Sequence, residues 1–134
     1  MIPHMIEYID IGVNLTGSSF NSDLDDVVQR ALDAGVSQMI VTGTDMHQSQ
    51  AALELSRSYP GILMSTAGVH PHHASEFDDN TISRLRDLCA GESVVAVGEC
   101  GLDYNRNYST PAEQRSAFEA QLQLACELRL PVFL

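Results

Sequence analysis

Val94-Val95-Ala96-Val97-Gly98-Glu99 is the stretch of this sequence that says most about the fold. Its first four residues are apolar and three of them are β-branched valines, which is typical of a strand buried on both faces of a parallel sheet. A glycine and a carboxylate follow directly, where such a strand would end. The segments on both sides have helical patterns, so we expect this strand to lie between two helices.

The same alternation of apolar strand and amphipathic helix recurs along the chain. We predict strands at residues 8–13, 38–42, 62–69 and 94–97, with a fifth beginning at 131–134. Helix-capping residues precede three of the intervening helices: Ser22 or Asp23, Asp45 with Gln48, and Thr110 with Pro111 and Glu113. The predicted buried face of the last helix consists of Ala117, Phe118, Leu122, Ala125 and Leu128.

Two α/β architectures fit this pattern, an open doubly wound sheet and a β/α barrel. Four βα units are about half of an eight-unit barrel, which typically has ~250 residues. An open sheet would be complete at 134 residues, but it would not normally stop inside a strand. We therefore expect residues 1–134 to be the N-terminal portion of one (β/α)8 TIM-barrel domain, ending at the start of strand five.

The composition excludes several classes of protein. With 18 acidic and 7 basic residues the formal charge is −11, which is not the footprint of a basic nucleic-acid-binding module. No apolar run is long enough to cross a membrane, and the first ten residues lack the features of a secretory signal. Three cysteines without a Cys-x-x-Cys spacing indicate a reducing cytoplasm. Phosphate-loop, dinucleotide-binding and serine-hydrolase motifs are absent.

Polar residues at the predicted carboxyl ends of the strands are the candidate site residues, because parallel α/β sheets bind ligands there. Glu99 ends the fourth strand, where a carboxylate needs either a metal ion or a cation such as Arg106. His70 follows the third strand, and Pro71 forces it into an extended conformation that aims its imidazole off the strand end. Imidazole binds first-row metals and also donates to phosphate.

Three further polar residues lie near the same predicted edge, and a fourth lies within the first strand. His72 is either part of the site or, like His73, a solvent-facing loop residue. Asn14 follows the first strand, and Asp103 follows Glu99. Asp10 lies inside the first strand among apolar neighbours, so we expect it to have a hydrogen-bond partner.

Three blocks of the sequence resemble the TatD family of metal-dependent deoxyribonucleases. They are Asp-Ile-Gly-Val-Asn-Leu at 10–15, Thr-Ala-Gly-Val-His-Pro-His at 66–72, and Gly-Glu-Cys-Gly-Leu-Asp at 98–103 with Asn-Arg-Asn at 105–107. The second and third blocks together are highly specific. The resemblance runs along the whole chain, in order and at the spacing of the family.

The resemblance implies a barrel hydrolase that cuts phosphodiester bonds, a 3′-5′ exonuclease acting on single-stranded DNA and on RNA, with a role in DNA repair. It implies Mg2+ as the cofactor, with Mn2+ and Zn2+ as alternatives. Glu99 matches the catalytic metal-bridging carboxylate, and His70 matches a catalytic histidine beside the substrate phosphate. His72 and Asn14 are expected to bind substrate, with Asn14 also a weak metal ligand, while Asp10 and Asp103 support the residues that touch metal or substrate.

The chain departs from the family pattern in two places. Many relatives have His-x-His in the first strand, where this sequence has Gly12 and Asn14. One metal position is therefore expected to be weaker, and oxygen-rich coordination favours Mg2+ over Zn2+. The family's histidine in strand five, and its later histidine and aspartate ligands, are expected to lie beyond Leu134.

Two other functions fit the same residues. One is a metal-dependent barrel hydrolase of small esters, amides or lactones, and the other is an inactive half-barrel with a binding or assembly role. DNA or RNA is the expected partner, with no membrane and no stable protein partner. Because a half-barrel exposes apolar strand edges, the isolated chain is expected to self-associate and to be inactive by itself.

Overall fold

Five parallel strands and four α-helices alternate along the chain in the computed structural model, which describes residues 6–134. The strands are β1 (Tyr8–Val13), β2 (Val36–Val41), β3 (Leu63–Ala67), β4 (Val94–Gly98) and β5 (Val132–Phe133). The helices are α1 (Leu24–Asp33), α2 (Met46–Ser58), α3 (Thr81–Cys89) and α4 (Pro111–Leu128). Short 3-10 helices occupy Ser18–Phe20 and Pro71–Glu76.

The strand order decides between the two expected architectures. The sheet runs β1-β2-β3-β4-β5 in sequence order, and every neighbouring pair is parallel. A doubly wound sheet reverses its order at a switch point, whereas a β/α barrel adds each strand next to the previous one. The barrel-type fold is therefore confirmed, as the first part of a curled sheet.

The curl of the sheet brings the Phe133 side chain of β5 close to Gly12 of β1. A Cβ atom on Gly12 would lie 3.2 Å from Cζ of Phe133 in β5. Gly12 also has a φ of +99°, a backbone conformation that L-residues with side chains rarely adopt. Both the backbone conformation and the short distance to the Phe133 side chain therefore favour glycine at this point of β1.

The predicted helix starts are confirmed at α2 and α4. The Asp45 side chain accepts a hydrogen bond from the Gln48 backbone N–H (2.7 Å) at the start of α2. The full capping box is present at α4, where Thr110 and Glu113 exchange hydrogen bonds. Gln48 departs from the expected reciprocal pair, because its amide oxygen accepts from the Thr16 hydroxyl instead. At α1, Asp23 occupies the cap position without a side-chain hydrogen bond to the helix.

The core lies between the sheet and the helices that pack on its outer face. One cluster joins α1 and α2 to β2 and β3, and contains Leu15, Val28, Met39, Val41, Ala52 and Leu63. A second cluster joins α2, α3 and α4 to β3 and β4, and contains Leu53, Ala67, Val69, Leu85, Leu88, Val94 and Leu124. This packing holds the carboxyl ends of β3 and β4 side by side.

Two expectations about burial are wrong. Burial on both faces of the sheet fails at β1, whose first four residues are exposed because β1 pairs only with β2 within residues 6–134. On α4, Leu122 is 37% exposed and Leu124 is buried in its place. The helix is rotated so that Gln114 and Gln121 also face inward, where both side chains bond to backbone groups.

No helix within 6–134 is long and apolar enough to cross a bilayer.

Candidate active site

A cavity of about 600 Å³ opens where β3 and β4 end. The residues that line it include His70, Glu99, Cys100, Asp103, Tyr104 and Phe118. A cavity of similar size, about 620 Å³, lies at the opposite end of the strands beside Gly61 and Glu92. Because parallel sheets of this kind bind ligands at their carboxyl ends, the first cavity is the candidate site.

Glu99 is placed at the cavity by the geometry of the residue before it. Gly98 has a φ of +143°, and a side chain there would collide with the backbone carbonyl of Phe133 in β5. The Gly98–Glu99 peptide bond is cis. The Glu99 backbone N–H then donates to the Gly43 carbonyl (2.8 Å), which ties the end of β4 to the loop after β2.

The carboxylate of Glu99 has no arginine partner among residues 6–134. Its one ion-pair contact in that range is with His70, whose Nε2 lies 3.6 Å from Oε1. Arg106 is the cation that the sequence suggested as a partner of Glu99. It is exposed and forms no ion pair within residues 6–134. The Glu99 side chain is 32% exposed, so its oxygens are available to a ligand in the cavity.

His70 has the extended conformation that Pro71 predicts, with φ −61° and ψ 148°. Its Nδ1 accepts the backbone N–H of His72 (3.0 Å), which leaves Nε2 as the nitrogen that carries the proton in the neutral ring. Burial lowers the pKa of His70, and the nearby Glu99 carboxylate opposes that shift only in part. A neutral His70 therefore presents an N–H donor to the same space as the Glu99 carboxylate.

The sequence left open whether His72 faces solvent or belongs to the site, and in the structure its side chain turns towards Asp103. Its side chain is 22% exposed, and Nε2 lies 2.8 Å from Oδ2 of Asp103. The hydrogen bond from His72 lowers the pKa of Asp103, helped by the backbone N–H of Asn105. Gln114 fixes the same loop by bonding both the N–H and the carbonyl of Asp103. His70, His72, Glu99 and Asp103 are thus brought together at one edge of the sheet.

Asn14 and Asp10 are not brought to this cavity. Both residues are exposed, and neither side chain lines the cavity or forms a hydrogen bond within the described part of the chain. The partner expected for Asp10 is therefore not found in that part, because the exposed β1 leaves its side chain in solvent.

Sequence reasoning missed a group of three metal-ligating side chains at Asp45, His73 and Glu76. Their ligand atoms lie within 4.8 Å of one another, so the group could hold a metal ion. The i,i+3 spacing of His73 and Glu76 was the available signal, but Asp45 is distant in sequence and already caps α2. Arg84 lines the same cavity of about 310 Å³, and its charge opposes a cation there.

Sequential parallel βα units with a carboxylate and histidines at the carboxyl ends of the strands define a protein of the β/α-barrel class with a candidate site at that edge. A family model described as TatD related DNase matches residues 9–134. The chain therefore belongs to the TatD-related DNase family.

Curated relatives and solved structures agree with this assignment. The chain is 58% identical over 125 residues to proteins named 3′-5′ ssDNA/RNA exonuclease TatD from Erwinia tasmaniensis and Yersinia pseudotuberculosis, covering 93% of this chain and 48% of each relative. It thus spans about half the length of these relatives. A TatD family hydrolase from Entamoeba histolytica superposes with a TM-score of 0.83 at 32% identity, covering 94% of this chain and 48% of that one. A TatD homologue from Escherichia coli superposes with a TM-score of 0.84 at 30% identity, covering 93% of this chain and 49% of that one.

Proposed function

We propose that this protein is a metal-dependent phosphodiester hydrolase that acts as a 3′-5′ exonuclease on single-stranded DNA and RNA. The relatives that are 58% identical over 125 residues have that name. The observation that carries the proposal is the Glu99 carboxylate, which lies at the end of β4 without an arginine partner in residues 6–134 and faces the neutral Nε2–H side of His70.

The donor atoms at the site fit a hard divalent cation. Glu99 supplies a partly exposed carboxylate oxygen. Asn14, the weak amide ligand that the resemblance implies, does not line this cavity and is not proposed as a ligand of the same ion. Gly12 offers no side chain where many relatives have histidine. We propose Mg2+ as the ion, with Mn2+ and Zn2+ as alternatives, because oxygen ligands favour Mg2+. One carboxylate does not hold a catalytic ion alone, so the remaining ligands are proposed to lie outside residues 1–134.

The roles of the chain's own residues follow from their hydrogen bonds. A divalent cation, when bound by Glu99, would supply Lewis-acid polarisation and a water that is nucleophilic at neutral pH. His70 donates from Nε2 to a phosphate oxygen, and its ring is held in place by the His72 backbone N–H on Nδ1. His72 binds substrate at the same edge. Asp103 orients the His72 ring and does not touch the scissile bond.

The test needs a complete barrel as well as the chain itself. We would express the chain alone and the chain joined to the half of the Erwinia tasmaniensis relative that the match does not cover. Both proteins are incubated with a 5′-labelled single-stranded oligonucleotide and Mg2+, with and without a chelator. The chimera should shorten the oligonucleotide stepwise from its 3′ end, and the chelator should stop it.

Glu99→Gln in the chimera should abolish cleavage while leaving the circular dichroism spectrum unchanged. Glu92→Gln is the matched control, because Glu92 is a glutamate at the opposite end of the strands. Retained cleavage in the Glu99→Gln protein would remove Glu99 from the mechanism. Hydrolysis of a small ester, amide or lactone without any cleavage of DNA or RNA would favour the small-substrate hydrolase instead.

A further inference from the structure

Two tyrosines near the candidate site are exposed. Tyr104 is 46% exposed and Tyr108 is 66% exposed. Both belong to the segment Tyr-Asn-Arg-Asn-Tyr at 104–108, which we call the aromatic loop. Exposed apolar residues of β1, such as Ile9 and Ile11, lie on an uncovered strand, whereas the aromatic loop joins β4 to α4.

The aromatic loop lies next to the residues proposed to act on the phosphodiester. Tyr104 lines the same 600 Å³ cavity as Glu99 and His70. The Tyr108 ring packs edge-on against His72, with ring centroids 4.9 Å apart. His72 in turn contacts His70, with centroids 4.4 Å apart. A chain of rings therefore leads from the catalytic histidine outward to solvent.

Hydrogen bonds hold the aromatic loop in a defined shape. The Asp103 carboxylate accepts the Asn105 backbone N–H (3.0 Å), and the Asn107 side-chain amide donates to the Tyr104 carbonyl (2.9 Å). Asn107 adopts a φ of 50°, which asparagine tolerates better than most residues. The tyrosines are thus presented on an ordered loop, so the loop itself would lose little conformational entropy when a ligand binds.

The charge of the protein argues for aromatic rather than ionic contacts with a polynucleotide. Proteins that bind nucleic acid through phosphates need many cations, but this chain has 7 arginines, no lysine and a formal charge of −11. Stacking of a base on an aromatic side chain does not depend on charge and accepts every base. It also requires an unpaired base, because the faces of bases in a duplex are already stacked on one another.

We propose that the Tyr104 and Tyr108 rings form a stacking platform for unpaired nucleobases of a single-stranded polynucleotide, beside the phosphodiester at Glu99. This inference rests on the proposed function and adds the source of its preference for single strands. The platform binds bases regardless of sequence.

Binding is measured without metal, so that cleavage does not interfere. Fluorescence anisotropy is recorded for the chain and for the chimera with three probes: a labelled oligothymidylate, its abasic counterpart with the same phosphates, and a blunt hairpin duplex. Tyr104→Ala and Tyr108→Ala should each weaken binding of the oligothymidylate by roughly tenfold. Tyr104→Phe and Tyr108→Phe retain the ring and should bind as the parent does. Tyr8→Ala is the matched control, because Tyr8 is 56% exposed but lies at the amino end of β1.

The abasic probe separates stacking from other losses. Under the proposal it binds weakly and equally to the parent and to the alanine variants, and the duplex does the same. Alanine variants that bind the oligothymidylate as tightly as the parent would overturn the proposal. So would an equal loss for the abasic probe, because that outcome shows a contact with the backbone.

Cleavage by the chimera distinguishes failure of the platform from failure of the proposed function. If the platform is correct, the alanine variants raise KM for single-stranded DNA roughly tenfold at unchanged kcat. Cleavage with an unchanged KM would overturn the platform and leave the nuclease in place. If no DNA or RNA is cut but the binding pattern holds, the platform stands and the nuclease assignment fails.

Discussion

At the scale of single residues, the cavity at the ends of β3 and β4 contains two carboxylates with different neighbours. Glu99 remains an available carboxylate because its neighbour is His70, 3.6 Å away, and not a guanidinium. Asp103 is a carboxylate in the same cavity, but its hydrogen bonds to His72 and to the Asn105 backbone use its oxygens for orientation. The two acids are therefore assigned different roles in one site.

The three cysteines should differ sharply in reactivity. Burial raises the pKa of Cys89 to about 11, and burial with the adjacent Glu99 charge raises the pKa of Cys100 to about 12. Both remain thiols at mildly alkaline pH, and the thiolate is the nucleophile. Cys126 is exposed. We expect a disulfide reagent to modify Cys126 rapidly and the other two only in denaturant. Rapid labelling of all three in the folded protein would contradict this.

Gly12→Ala should destabilise the protein by about 1–3 kcal/mol, because the positive φ strains any side chain and the new Cβ presses on Phe133. Urea unfolding followed by circular dichroism measures the change. Gly61→Ala is the matched control, since Gly61 also has a positive φ but a Cβ atom there would have no heavy atom within 4 Å. The Gly12 variant should be the less stable of the two, and equal stability would show that the Phe133 contact costs nothing.

At the scale of the elements, two buried glutamines of α4 hydrogen-bond to the backbone of the segments that carry the candidate site residues. Gln121 accepts the Val69 backbone N–H (2.8 Å) and donates to the Val69 carbonyl (3.1 Å), next to His70. Gln114 performs the same function for the Asp103 loop. One helix thus fixes the backbone of both segments that carry the histidines and the acids.

Gln121→Ala should destabilise the fold by about 1–3 kcal/mol for each buried backbone group that it leaves without a partner. It should also reduce cleavage by the chimera, because Val69 precedes His70. The measurements are urea unfolding and the rate of oligonucleotide cleavage. Gln123→Ala removes the same side chain from an exposed position of α4 and should change neither quantity. If both variants lower the free energy of unfolding equally, the hydrogen bonds between Gln121 and Val69 do not contribute to stability.

At the scale of the whole molecule, the two ends of the sheet are open. Within residues 6–134, β1 pairs with β2 alone and β5 with β4 alone. Ile9, Ile11 and Leu134 are 57%, 63% and 73% exposed. Uncovered strand edges with apolar side chains are sites of self-association.

We propose that the chain alone forms oligomers or aggregates, whereas the chimera with the uncovered half of the Erwinia tasmaniensis relative is monomeric. Sedimentation velocity at several concentrations measures both proteins. The sedimentation coefficient of the chain alone should rise with concentration, and that of the chimera should not. A monomeric chain at every concentration would contradict the proposal.

Local pattern was sufficient for most elements and for the conformation of His70 at the end of β3. The strand at residues 8–13 has the predicted bounds, and the caps at Asp45 and Thr110 are where the sequence places them. The extended His70 follows from the proline after it. These features depend on residues close in sequence, whose dihedral preferences and hydrogen bonds act over one or two turns of chain.

Contacts between segments distant in sequence decided the strand order and the orientation of several side chains, which the local sequence pattern does not determine. The choice of barrel over open sheet depends on which strands become neighbours, and both choices have the same βα pattern. The inward turn of His72 requires Asp103, and the burial of Gln121 requires Val69, 52 positions away. Leu124 rather than Leu122 is buried because the rotation of a helix follows the shape of the sheet beneath it. Local chain preferences thus specify the elements and their ends, while the contacts that select one side chain for the site form only when distant segments pack together.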